Sequence, residues 1–141
     1  MTATTGVPTP ATPERGGEPG AIAGWLTSTD HKRIAGLTLG TALVMMLVAG
    51  GLATTMRAQL ARPDSTVLPP ELYDQFFTMH GSMMIYLVMT PFAIGSGLYF
   101  VPLQIGAPNV AAPRTTMLGY WLYLLGAVIM LSGFATDTGA A

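Results

Sequence analysis

Cysteine is absent from the chain, and charge is scarce: six Lys or Arg and seven Asp or Glu among 141 residues. The first absence excludes a disulfide framework and any thiolate metal site, so a bound metal would need nitrogen, oxygen or methionine sulfur. The second sets 9% charged residues against roughly 25% in an average soluble domain. At a net charge of −1 there is no concentrated basic surface, and so no electrostatic case for a nucleic-acid partner. Only two histidines occur, His31 and His80.

Apolar residues fill the space. They make up 50% of the chain, and the mean hydropathy is +0.50. The first 24 residues, MTATTGVPTPATPERGGEPGAIAG, stand apart. They are rich in Thr, Pro, Gly and Ala without apolar periodicity, which predicts a disordered tail. They lack the basic start and apolar core of a secretory signal. TSTDHKR follows, with Thr29 or Asp30 as an N-cap and His31, Lys32 and Arg33 as an anchor at the level of the lipid headgroups.

Three apolar spans are expected, over residues 34–56, 76–103 and 115–135. Lipid cannot satisfy backbone N–H and C=O groups, and the period-2 alternation of barrel strands is missing, so the spans are read as helices of an all-α membrane bundle. Pro91, Gly95 and Gly97 are expected to break the second span. Gly36-x-x-x-Gly40 and Gly50–Gly51 would allow close helix approach. Tyr120, Trp121 and Tyr123 suggest an interfacial belt opening the third. Lys32, Arg33 and Arg114 fall on one side, with Arg57 and Arg62 on the other, which narrowly favours a cytoplasmic N-terminus. The ending FATDTGAA carries no helix cap, as expected of a chain cut short.

His80 stands at the start of the second span. A 22-residue connection (58–79) would make a hairpin that brings Arg57 and His80 to one membrane face. By helical spacing His80, Met83, Met84 and Leu87 share one side. An imidazole among thioether and aliphatic groups suits an axial haem ligand, although a structural or interfacial histidine fits the same spacing. Ser82, Thr78 or a backbone carbonyl could hold its second ring nitrogen.

The segments TDHKRIAG, MRAQLARP, ELYDQFFTMHGSMMIY, VPLQIGAPNVAAPR and GYWLYLLG change the balance. In order and spacing, from Trp25 onward, they resemble the opening of subunit I of the haem–copper oxidases, the cytochrome c oxidase family. The resemblance implies three helices of an expected twelve, within the membrane-embedded domain begun at residue 25. It implies a bacterial plasma membrane enzyme that reduces oxygen to water with electrons from cytochrome c while moving protons. Its partners would be other oxidase subunits, including copper-bearing subunit II, and membrane lipid. By resemblance, His80 is an axial ligand of the low-spin haem, of haem a type, and Arg57 meets its formyl group. The second axial ligand, the high-spin haem and the copper centre CuB would come from later helices, so this portion alone is expected to be inactive.

Three positions depart from that family's proton-pathway pattern. Asn109 stands where common members carry Asp, and Leu98 and Thr116 stand where they carry Asn. An amide does not titrate near neutral pH, and a leucine cannot hydrogen-bond water. The expectation is a subunit that reroutes its protons or pumps fewer. A quinol oxidase is the alternative within the family. Its quinone-binding positions fall on Val48, Leu52, Leu72 and Gln75, of which only the last matches. A non-catalytic accessory membrane subunit is the alternative outside it.

Overall fold

The computed structural model describes residues 21–136. Most of the expected tail lies outside that range, and its last residues are already helical in α1 (Ala21–Leu26). Helix α2 (His31–Gln59) opens where Asp30 caps it, the carboxylate accepting the Lys32 N–H at 3.0 Å. Its 29 residues extend about 43 Å at 1.5 Å per residue, ample for a bilayer core.

The second span begins earlier than residue 76. Pro70 stands at its first turn, where a missing N–H is harmless and φ is preset. The polar stretch PELYDQ therefore belongs to the helix, although it is too polar to belong to the apolar span. The connection shrinks to residues 60–69. Gln59 clamps it, donating to the Ser65 carbonyl at 2.7 Å and accepting the Leu68 N–H at 2.8 Å.

Nor does the second span break at Pro91. Helix α3 (Pro70–Ser82), a π segment (Met83–Met89) and α4 (Thr90–Gln104) run as one continuous helix, Pro70–Gln104. A proline ring crowds the carbonyl four residues back, here Leu87, and cannot donate to it. The helix widens to accommodate the ring. Thr90 bonds five residues back to the Ile85 carbonyl through its N–H, and its hydroxyl donates there too at 2.9 Å. Helix α4 ends in a Schellman motif: Gly106 adopts φ +68°, its N–H reaches Leu103 at 3.4 Å, and the Ala107 N–H reaches Pro102 at 2.9 Å. Helix α5 (Pro113–Ser132) and a 3₁₀ turn (Gly133–Ala135) follow.

Helix α2 is the common partner of the others. Met45 and Ala49 of α2, Met83, Leu87 and Val88 of the π segment, and Ala127 of α5 form the main core, with Ile34, Met117 and Tyr120 in a smaller one. The expected glycine contacts are not the ones made. A Cβ on Gly36, Gly40, Gly50 or Gly51 would meet nothing within 4 Å, because those positions face away from the other helices. Gly95 makes the close approach instead: a Cβ there would stand 3.0 Å from Leu39 Cγ and 3.4 Å from Thr38 Cβ.

The tyrosines are also not a simple belt. The Tyr120 hydroxyl lies 3.2 Å from that of Thr41, and Tyr123 donates to the Leu87 carbonyl at 2.7 Å. A phenol in lipid seeks any acceptor its neighbours leave open. The outer faces remain apolar, with Leu47, Tyr86, Leu122 and Ile129 exposed, as expected of helices hydrophobic all round. Three helices are long and apolar enough to cross a membrane, and among the described residues there is no strand. The architecture is the expected all-α, polytopic membrane bundle.

Candidate functional site

His80 is not at a threshold. It lies ten residues into the helix that starts at Pro70, opposite Ala49, which lies ten residues back from Gln59. The ring Nδ1 stands 2.9 Å from the Ala49 carbonyl oxygen. A carbonyl can only accept, so Nδ1 carries the proton, and a neutral ring then keeps its lone pair on Nε2. Nε2 has no partner among the described residues. This is the arrangement a metal-ligating histidine requires: one nitrogen held by a backbone oxygen, the other a free donor. Of the three partners considered for the second nitrogen, the backbone carbonyl is the one used. Met83 is fully buried in the cluster that contains Ala49, and Met84 packs against it.

Arg57 does not share the level of His80. It lies eight residues beyond Ala49, about 12 Å along the helix, and its side chain is exposed. The short connection is the reason, since it sets His80 nearly three turns below the hairpin end. A guanidinium so placed cannot touch the imidazole; the two act together only on a ligand wide enough to reach both.

His31 is no headgroup anchor either. It is 2% exposed, and neither ring nitrogen has a hydrogen-bond partner. The Asp30 carboxylate is 3.6 Å from Nδ1, beyond a good hydrogen bond. The segment joining α4 to α5 accounts for part of this setting. There the Asn109 side-chain oxygen Oδ1 accepts the His31 backbone N–H at 3.3 Å, while its Nδ2 donates to the Thr29 carbonyl at 2.8 Å.

Leu98 and Thr116, by contrast, line one cavity of about 370 Å³ together with Thr38, Tyr120 and Tyr123. Asn109 does not line it. Thr116 spends its hydroxyl proton on the Ala112 carbonyl at 3.0 Å. Among the described residues no three His, Cys, Asp or Glu side chains gather into a metal site.

Two partners escaped sequence reasoning. Ala49 contributes only a backbone oxygen, which no side chain advertises. Reading Pro70 as a first helical residue would have found it by counting inward from both ends of the hairpin. Tyr123 could have been sought as the donor for the carbonyl that Pro91 leaves open.

The described residues thus form a helical unit with three spans apolar enough for a membrane, in which His80 is held through Nδ1 by a backbone oxygen. Residues 33–141 match the family model described as Cytochrome C and Quinol oxidase polypeptide I, and the chain belongs to that family. It is 46% identical over 130 residues to the "Probable cytochrome c oxidase subunit 1-alpha" of Streptomyces avermitilis, covering 92% of this chain and 22% of that protein. It is 47% identical over 116 residues to the "Heme-copper oxidase subunit I+III" of Aeropyrum pernix, covering 82% of this chain and 14% of that protein. With the "Cytochrome c oxidase subunit 1" of Corynebacterium diphtheriae the identity is 41% over 136 residues, 95% of this chain and 24% of that protein. The chain thus spans about a fifth of the length of the curated relatives it matches.

Proposed function

We propose that this chain forms the first three of twelve helices of an oxidase subunit I that reduces oxygen to water with electrons from cytochrome c, coupled to proton movement. His80 would hold the iron of a low-spin haem through Nε2. The observation that carries this is the Nδ1 contact with Ala49 at 2.9 Å, which leaves Nε2 as the free donor. Bound there, the haem iron would supply one-electron transfer. The chain's residues orient it, keep its surroundings apolar and exclude water. Arg57 would stabilise a polar substituent of that haem electrostatically, a formyl group if the haem is of the a type.

The remaining helices supply the second axial ligand, the high-spin haem and CuB, and subunit II delivers electrons. The membrane is the bacterial plasma membrane, with the N-terminus cytoplasmic. Asn109, Leu98 and Thr116 replace titratable or amide groups on the proton route, so protons are rerouted or fewer are pumped. In support, Leu98 gives the shared cavity an apolar wall and Asn109 uses both ends of its amide on backbone groups of Thr29 and His31.

The test is His80→Ala in the assembled oxidase that contains this chain. The six-coordinate low-spin haem band should be lost. An unchanged band would overturn the assignment.

A further inference from the structure

We propose that Tyr123 is a positioning residue for the haem ligand. By donating to the Leu87 carbonyl, it holds the π segment that follows His80 and so sets how the imidazole is presented. This rests on the reading of His80 as a ligand.

The need for such a donor follows from Pro91. In an α-helix the Leu87 carbonyl would accept the N–H of residue 91, and proline has none. A carbonyl left open in hydrocarbon has no water to turn to. The nearby Thr90 hydroxyl is engaged elsewhere, at the Ile85 carbonyl. Tyr123 reaches across from α5 and closes the gap at 2.7 Å. A π turn is intrinsically poorer than an α turn and persists where its surroundings hold it. Here the holding bond comes from another helix.

The link to His80 is short. The π segment begins at Met83, three residues on. Met83 and Leu87 are buried against Ala49 in one cluster, and Ala49 is the residue whose carbonyl fixes the imidazole. If the π turn slips back toward α geometry, residues on its two sides rotate relative to one another by up to about 100°, the turn of a single residue. The shift falls on the packing that registers His80 against Ala49. Lengthening that contact lowers the basicity of Nε2, which tunes a ligated iron.

Tyr123→Phe removes one oxygen and keeps the ring. In the assembled oxidase it should raise the infrared frequency of the isotope-labelled Leu87 carbonyl, shift the low-spin haem band and move that haem's midpoint potential, with haem content retained. Pro91→Ala restores a backbone donor for Leu87. In that background the added Tyr123→Phe change should produce a smaller haem shift than it does alone, a non-additivity that bulk loss of packing would not show. An unmoved carbonyl frequency would remove the bond. A moved frequency with unchanged haem band and potential would remove the positioning role. Equal haem shifts in both backgrounds would also overturn it. His80→Ala run in parallel separates the two levels: if it keeps the low-spin band, the ligand assignment has failed, whereas loss of the band with an inert Tyr123→Phe condemns only the role of Tyr123.

Discussion

Asn109 and Thr29, 80 positions apart in sequence, are joined by a 2.8 Å hydrogen bond from the asparagine amide to the threonine carbonyl. The same side chain accepts the His31 N–H at 3.3 Å. One amide thus ties the α4–α5 connection to the start of α2. It places Lys32, Arg33 and Arg114 at the same end of the bundle, as the charge count had grouped them.

The Asn109 tie predicts an ordering of variants. Asn109→Asp keeps the acceptor for His31, favourable at a helix N-terminus, but loses the donor to Thr29. Asn109→Ala loses both. Costs of about 1 kcal/mol for the first and 2 kcal/mol for the second are expected from net hydrogen-bond values. Thermal inactivation of the assembled oxidase would check the order; a less stable Asp variant than Ala would contradict it.

On the proposed function, that carboxylate alone should not raise proton release. Leu98 walls the cavity it shares with Thr116 and can pass no proton. In vesicles, Asn109→Asp should leave protons released per electron near the parent value. Adding Leu98→Asn and Thr116→Asn should raise it. A parent ratio already full, and abolished only by changes elsewhere, would place the route outside this unit.

His31 predicts an unusual outcome for a histidine. Its two ring nitrogens are buried without partners, a state that costs about 1–3 kcal/mol. His31→Leu should therefore leave stability unchanged or raise it. A substantial loss, seen as a lower unfolding temperature, would mean the ring has an acceptor or donor in the assembly.

Glycine substitutions should split by position. At Gly95 a methyl meets Leu39 at 3.0 Å, and overpacking costs about 1–3 kcal/mol. At Gly106 the positive φ penalises any Cβ by about 1 kcal/mol. Gly95→Ala and Gly106→Ala should lower the yield of folded oxidase, and Gly106→Asn should be milder, since asparagine tolerates that backbone region.

The proposed electron donor can be tested directly. Of the four positions where the resemblance would put quinone contacts, Val48, Leu52 and Leu72 are apolar and only Gln75 matches, so the proposed oxidase should turn over with reduced cytochrome c and not with ubiquinol. Turnover with ubiquinol alone would reverse that assignment.

The family and the helices could be read from residue order, because apolar runs, prolines and short motifs act locally. Helix ends were harder. PELYDQ is polar yet helical, since membrane burial and helix formation are separate demands that coincide only inside the bilayer. The same error moved Arg57 and His80 to one level, because a hairpin's pairing depends on where both helices begin.

Composition and order along the chain were enough to make this a helical membrane protein, since the hydrophobic effect and backbone satisfaction in lipid leave no other architecture for such runs. Which nitrogen of His80 is free, where the Leu87 carbonyl finds its donor, and what Asn109 holds were settled only when the helices came together. Each depends on a backbone atom of another segment, and the position of a backbone atom in space is written in no single residue.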